Sequence, residues 1–573
     1  MKGRRGDFAA ALAARLEQDP SIVEAAIVRP PDPKMGVFAF PCFSLAKSWR
    51  KSPPQIAKEL AESVRAPEGS EIAAEGGYLN LRLKPGILAK EAVADAWLLE
   101  AGGPVTDSGS GKTVLVDYSS PNAGKELVYH HIRSTAIGAA LCRIHEAAGW
   151  KVVAVNHLGD WGTQFGKLNL MWLREHGNDP ESALADLPSV TLSALNRMYV
   201  GFKPAALEDP AMDGEARLWF SRLESGDGFA RACWERFIAV SIEALQEVYR
   251  RLGARFDHFL GESFYEDKLD ATIERIRRSG LLEESEGAQV VRVGDDIPPC
   301  LIRKSDGATL YATRDIAAAI WRHERFHCDR ALYVVDSGQS LHFRQVFGVL
   351  ARMGEPAAAG CVHVPFGLVL GRGEDGTWSK VSTRSGTGAP LPEVMDMAVE
   401  RIRGTMRERG ADLADREDLA EAVGIGALLF NELKNRRMVD TRFDLDAILS
   451  FEGDTGPYIQ YAHVRLSSIL RKSEGLPPFE GARWELLREP ETEAVLSVLA
   501  QFGEKVDQAV EFAEPSIVAQ YALELAEKVH AFTHRHRVLD VEETPERLLL
   551  VEAARRTLAR ALSLVGLEPV ARM

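Results

Sequence analysis

The sequence predicts an α/β protein: a parallel sheet covered by helices, with a small α+β unit before it and an all-helical region after it. Three observations predict this. Between about residues 112 and 394, short β-branched runs alternate with helical periodicity, the pattern of a parallel sheet with covering helices. From about residue 395 to 573 only helical periodicity remains, as in EAVGIGALLFNELKNR and RLLLVEAARRTLARALSLVGL. Residues 1–105 mix helix and strand signals and run into the Gly/Ser-rich stretch AGGPVTDSGSGK at 101–112, which reads as a linker. The chain has 573 residues, 46% hydrophobic and 27% charged. That length suits about three to five domains, and so much apolar surface excludes wholesale disorder.

The elements follow in order. Phe8 to Leu16 form an apolar-periodic helix, and Ile56 to Val64 a second, opened by Pro53 and Pro54. GGYLNLRLKPG alternates apolar and polar residues, as a half-buried strand does. TVLVDY at 113–118 is the first strand of the parallel sheet. The polar turn SSPNAGK follows it, then a helix from about His131 to Ala148 and a strand, KVVAV, at 151–155. From about 166 to 290 the pattern is mostly helical and charged, an insertion into the sheet domain. ALYVVD at 331–336 and VHVPFGLVLG at 362–371 read as further strands.

Charge and composition narrow the function. Lys and Arg number 69 and Asp and Glu 83, a net charge of −14, so a basic nucleic-acid coat is excluded while a local basic face is not. The six cysteines are far apart with no C-x-x-C pair, which argues against a disulfide framework or a structural zinc site and predicts a cytoplasmic protein. No apolar run approaches the ~18 residues of a membrane span. The opening MKGRRGDF has no apolar stretch behind it, so neither a signal nor a transit peptide is expected.

Four segments carry chemistry. VDYSSPNAGKELVYHHIRST at 116–135 is a strand, a polar turn and a helix start, the place where an open parallel sheet binds ligands and a helix N-terminus offers N–H groups to phosphate. VNHLGDWGTQFG at 155–166 packs polar side chains around three glycines. DGATLYATRDIA at 306–317 puts Tyr311 and Asp315 four residues apart, on one face if helical. GLVLGRGEDGTWSKVSTRSG at 367–386 is a strand and a Gly-rich basic loop, with Lys380 and Arg384 in reach of phosphates. There is no P-loop and no G-x-G-x-x-G at a first βα turn.

In this order the four segments resemble the arginyl-tRNA synthetases, class I aminoacyl-tRNA synthetases. The resemblance spans nearly the whole chain and includes NHLGDWGTQFG, LYATRDIA, VDSGQ, SFEGDTGPYIQYAHVR at 450–465 and the terminal PVARM. It implies a Rossmann-like catalytic domain at 112–394, a helical anticodon-binding domain at 395–573 and an N-terminal domain at 1–105 that touches the tRNA elbow. It implies that Asp117, Ser120, Asn122, Tyr311, Asp315 and Gln339 bind arginine, whose guanidinium is a flat, charged fork of five donors suited to carboxylate, phenol and amide oxygens. Lys125, His131, Leu368 and Lys380 would meet ATP, with Lys125, His131 and Lys380 catalytic; Tyr458, Tyr461 and Met573 would meet tRNA. The implied partners are L-arginine, ATP with Mg2+ as a substrate, and tRNA(Arg), with no fixed protein metal site, no DNA, no membrane and a monomeric chain.

The sequence departs from the family in three places. The HIGH-type signature, usually HVGH, is Val128, Tyr129, His130 and His131, so the first histidine has become a residue that donates nothing and the glycine beside the adenine has gained a side chain. One lost transition-state donor typically costs about 3 kcal/mol, roughly 10²–10³ in rate. In the KMSKS-like loop, SKVSTR, Lys380 holds the first lysine position and Thr383 the second; the resemblance implies that Lys125 compensates. Thr533 stands where the family has a tyrosine that stacks on an anticodon base. The reading is therefore an arginyl-tRNA synthetase. The alternative is a paralogue that keeps the arginine pocket and has lost or altered adenylation: an arginine sensor, a tRNA-binding partner or a biosynthetic enzyme.

Overall fold

The computed structural model describes residues 2–30, 35–99, 103–305, 307–372, 376–380, 388–408 and 417–573. At its centre lies a five-stranded, wholly parallel sheet in the order Cys361–His363, Arg330–Tyr333, Thr113–Asp117, Lys151–Asn156, His258–Phe259. Val114, Leu115 and Val116 are fully buried, as β-branched and aliphatic residues are in a sheet covered on both faces. The chain leaves Asp117 toward Lys151 on one side and returns at Arg330 on the other. The strand ends at Asp117 and Tyr333 therefore flank the point where the strand order reverses, and ligands bind there in open α/β sheets.

The helix His131–Ala147 follows the first strand and is buried on nearly every side. It packs against the sheet and against three later helices, Glu417–Leu433, Phe502–Glu511 and Thr544–Leu564. Gly138 lets it lie directly on Tyr118: a Cβ there would stand 2.1 Å from the tyrosine ring. The N-terminal residues build a separate core around Phe8, Leu12, Phe38, Phe40, Ile56, Leu60, Leu79 and Leu81, with a three-stranded antiparallel sheet. Arg29 ties this unit to the C-terminal helices by pairing with Glu504 at 2.6 Å and donating to the Ala500 carbonyl.

Four expectations need correction. VHVPFGLVLG is not one strand. Pro365, which cannot donate to a ladder, lies in the gap between Cys361–His363 in the parallel sheet and Val369–Arg372 in a second, three-stranded sheet with Trp378–Lys380 and Thr441–Arg442. The region after 395 is accordingly not purely helical. The range 166–290 is mostly helical but carries the parallel sheet's edge strand at His258–Phe259 and part of an antiparallel sheet spanning 283–303. The Gly/Ser-rich stretch is no free tether over its described part: Val105 donates to the Ala147 carbonyl at 2.6 Å, and the Thr106 and Ser108 hydroxyls both reach Asp507.

Candidate active site

The turn after the first strand is strained. Ser119 and Ser120 both hold positive φ, 66° and 46°, which side-chain-bearing residues rarely adopt. The surroundings enforce it. The Ser119 N–H donates to Ser134 Oγ at 3.0 Å, its hydroxyl lies 2.9 Å from the Tyr249 hydroxyl, and Thr135 donates to it at 2.9 Å. Ser120 Oγ donates to Asp117 at 2.8 Å and accepts from the His157 N–H at 3.1 Å. The next residues are laced to the NHLGD loop. Asn122 and Gly159 form a parallel bridge, Gly159 N–H donates to the Pro121 carbonyl, and a Cβ on Gly159 would stand 2.2 Å from Asn122 Oδ1.

Near this turn lies a group of acidic side chains, one of which, Asp117, binds the buried cation Arg322. Arg322, 1% exposed, donates from Nη1 to Asp117 at 2.7 Å and from Nε to the Tyr265 hydroxyl at 3.0 Å, and its Nη2 lies 3.1 Å from His157 Nδ1. Asp117 thus meets Arg322 and Ser120, side chains of its own protein. Asp315 hydrogen-bonds His342 Nε2 at 2.5 Å and lies 3.7 Å from His157 Nε2. Burial pushes its carboxyl up, but the His342 hydrogen bond and the charges of His157, His342 and Arg322 outweigh burial and hold it below the usual carboxylate range. Glu262 behaves oppositely. Burial first, then the charges of Asp315, Asp160 and Glu266, push it up to about 8 against the opposing Arg314. Asp160 holds the start of this turn, accepting from the Ser263 N–H at 2.8 Å and its hydroxyl at 2.6 Å.

Tyr311 opens the helix Tyr311–Phe326, one turn before Asp315, and is 65% exposed. Gln339 and Asn122 are exposed beside the same strand ends. Sequence reasoning missed Glu262, Arg322 and His342. Glu262 sat in a range read as helical insertion, where GES after a short strand was the available signal.

The second half of the site is the VYHH turn. Val128 bridges Pro390, and the Tyr129 N–H donates to the Ala389 carbonyl. Tyr129 is fully buried, and its hydroxyl donates to Glu432 at 3.0 Å. His130 is exposed, its ring 4.2 Å from that of His131. His131 is the first residue of its helix. Burial, then the nearby charges of His130 and Lys125, lower it to about 4 against a smaller opposing contribution from the Val128 backbone. The Val128 N–H lies 3.0 Å from His131 Nδ1. Lys125 lies over the Tyr199 ring at 4.0 Å. Leu368 is half-exposed, its N–H donating to Asp440 at 2.7 Å. Lys380 ends its strand opposite Leu370. Thr383 and Arg384 lie outside the described residues.

In the helical region, Tyr461 and Met573 line a cavity of about 430 Å³ with Arg465, Arg471 and Arg572. Tyr458 packs behind it, its hydroxyl 2.9 Å from His530 Nδ1. Thr533 turns its hydroxyl inward to the Val529 carbonyl, while its own carbonyl accepts from Arg465 at 3.3 Å. The three arginines gave no sequence signal, being spread over 107 positions of a chain rich in arginine. Among the described residues, no group of three or more His, Cys, Asp or Glu is arranged to hold a metal ion, and no helix is long and apolar enough to cross a membrane.

Three family models match the chain: tRNA synthetases class I (R), catalytic domain, over 95–445; DALR anticodon binding domain over 459–573; and Arginyl tRNA synthetase N terminal domain over 5–83. The arginine–tRNA ligase of Clostridium perfringens is 40% identical over 577 residues, covering 99% of this chain and all of the relative. That of Exiguobacterium sibiricum is 41% identical over 549 residues, 95% of each. Among solved structures, the Thermus thermophilus arginyl-tRNA synthetase superposes with a TM-score of 0.80 at 28% identity over 99% of both chains. The Plasmodium falciparum enzyme also gives 0.80, at 23% identity over 96% of this chain and 94% of its own, a likeness of fold.

Proposed function

The chain belongs to the arginyl-tRNA synthetase family, and from that premise we propose how its residues divide the reaction between them. The protein is an arginine–tRNA ligase: it activates L-arginine with ATP and transfers it to tRNA(Arg). One observation carries the assignment of residues. Near the point where strand order reverses, Asp117 is taken up by the buried Arg322, while Asp315 and Glu262, whose ionisation the charge of Asp315 disfavours, have no guanidinium bonded to them among the described residues. A second guanidinium restores the balance of charge.

In this reading the substrate guanidinium lies between Asp315 and Glu262, with the Tyr311 hydroxyl closing over it. Asp117 contributes by fixing Ser120 and Arg322. Ser120, Asn122 and Gln339, at the rim, meet the α-amino and α-carboxylate groups. The α-carboxylate attacks the α-phosphorus of MgATP in line; the bond to the bridging oxygen breaks, and pyrophosphate leaves. A ribose hydroxyl at the tRNA 3′ end then attacks the carbonyl carbon, and AMP leaves. Neither step needs a covalent intermediate on the protein, so catalysis is positioning and charge stabilisation. His131 is neutral at pH 7. Its Nδ1 is held by the Val128 backbone, 3.0 Å from the N–H and 3.1 Å from the carbonyl oxygen, which leaves Nε2 as the ring nitrogen directed to a phosphate oxygen in this reading. Lys125 and Lys380 supply positive charge to the phosphates, and Leu368 borders the adenine.

Tyr458, Tyr461 and Met573 are proposed to meet tRNA, and the arginines beside Tyr461 supply the local positive charge that the whole chain lacks. The same reading takes the protein as a cytoplasmic monomer that binds neither DNA nor a membrane. Its working units are residues 1–105, 112–394 and 395–573. No comparison favours a paralogue that has lost adenylation. The test is charging of tRNA(Arg) by the purified protein with labelled arginine and ATP, beside a Val128→His/His130→Gly variant. Charging by the native protein at an enzyme-like rate is expected; charging by the variant alone would overturn the reading of VYHH as a working site.

A further inference from the structure

The VYHH turn and the hairpin bearing Lys380 belong to different sheets and different helices, yet one buried carboxylate joins them. Glu432, 1% exposed, lies on the helix Glu417–Leu433. Its Oε1 accepts from the Tyr129 hydroxyl at 3.0 Å, within the VYHH turn itself. Its Oε2 accepts from Arg133 at 3.1 Å, two residues into the helix that His131 opens, and from the Thr441 hydroxyl at 3.0 Å. Arg133 also donates to that hydroxyl at 2.9 Å and to the carbonyls of Arg437 and Val439. Thr441 stands in register with Val369, and Arg442 with Leu370. Leu370 in turn pairs with Lys380. A chain of two hydrogen bonds and two strand pairings therefore runs from the residue before His130 to the strand that ends at Lys380.

Nothing in the VYHH turn needs a phenol for packing alone, since Tyr129 already lies against Phe443 at 4.2 Å between ring centroids. The hydroxyl adds one directed bond in a fully buried place, where it would otherwise be left unpaired. We propose that Glu432 is a positioning residue for adenylation: by binding Tyr129, Arg133 and Thr441 together it sets the separation between His131 and the strand that ends at Lys380, the two elements that flank the ATP phosphates in that reading. It touches no substrate. In-line transfer is sensitive to such spacing, because a misplacement of about 1 Å costs on the order of a hundredfold. This inference rests on the reading that His131 and Lys380 face ATP.

Replacing Glu432 strands Arg133 in the core, so the test uses gentler variants of the full-length protein. Tyr129→Phe removes one oxygen, Thr441→Val exchanges a hydroxyl for a methyl, and Thr441→Ser keeps the hydroxyl. Each is assayed for charging with ATP and arginine varied separately, below its melting temperature, beside His131→Ala and Lys380→Ala. The expected result is a kcat lower by about tenfold or more in Tyr129→Phe and Thr441→Val. KM for arginine stays within about twofold, the Thr441→Ser rate is restored, and the double variant is little worse than the weaker single one. If His131→Ala and Lys380→Ala lose activity while Tyr129→Phe and Thr441→Val keep the native kcat, the inference falls and the reading of the site stands. If His131→Ala and Lys380→Ala charge tRNA normally, that reading is overturned and the inference with it.

Discussion

At the scale of the residue, two side chains bind protons unusually, and each has a measurable consequence. Glu262, raised to about 8 by burial and the neighbouring acidic groups, holds a proton at neutral pH. A cationic substrate favours its ionised form, so arginine binding below pH 8 releases a proton, and affinity rises with pH by up to about tenfold per unit before levelling off. Calorimetry in buffers of different ionisation heat reads the released proton, and Glu262→Gln abolishes both the release and the slope. The folding sign is the reverse of a salt-bridged acid. The native state binds the extra proton, so this group's contribution to stability is full below its unfolded pKa and is lost as pH rises through 8. His131, lowered to about 4, stays neutral across the assay range. The pH profile of kcat should show no step from it between 5 and 8, while His131→Ala costs roughly 10²–10³ in rate. Neither property was legible in the sequence. Asp315 was singled out through the family resemblance, since a lone aspartate four residues from a tyrosine is on its own an ordinary solvated side chain. Arg322 was not, since an arginine on an amphipathic helix ordinarily faces water, and what buries it here are residues 57, 165 and 205 positions away.

At the scale of the element, glycines decide two close approaches. Gly138 seats the His131–Ala147 helix on Tyr118, so Gly138→Ala should destabilise the protein by about 1–3 kcal/mol through overpacking, seen as a lower melting temperature. Gly159→Ala should cost less stability than Gly138→Ala. Its Cβ meets the end of the exposed Asn122 side chain, which swings aside, but also stands 3.3 Å from the Asn122 Cα in the bridge, so the turn shifts slightly and the loss is read chiefly as a higher KM for arginine. The helix His131–Ala147 was legible from its start because a polar turn precedes an apolar run. The strand Thr441–Arg442 was not: two residues carry no period, and its partner at Val369–Arg372 was merged with Cys361–His363 across Pro365. Pairing between segments some seventy residues apart is a tertiary fact that local pattern does not contain.

At the scale of the whole molecule, the separate N-terminal core and the helical C-terminal region were legible from composition and periodicity, because each buries its own apolar face. The contact between them was not: the helix Ile87–Trp97 sinks Ala89, Ala92, Val93 and Ala96 into the core of the C-terminal helices, and Arg29 meeting Glu504 and the Thr106 and Ser108 hydroxyls meeting Asp507 add polar ties. An acidic chain that binds RNA must do so through local charge. Tyr461→Ala should raise KM for tRNA roughly 5- to 150-fold, the worth of about 1–3 kcal/mol per stacked base, while KM for ATP stays unchanged. Arg572→Ala should flatten the dependence of tRNA binding on salt. The order of strands in the central sheet also governs the birth of the protein on the ribosome. Thr113–Asp117 and Lys151–Asn156 emerge early and pair with each other, but the other flank of Thr113–Asp117 is reserved for Arg330–Tyr333. At about 5–20 residues per second, that flank waits on the order of 10–40 s for its partner. During that interval the nascent chain presents an open, apolar strand edge, the kind of surface that chaperones shield and that neighbouring nascent chains can capture.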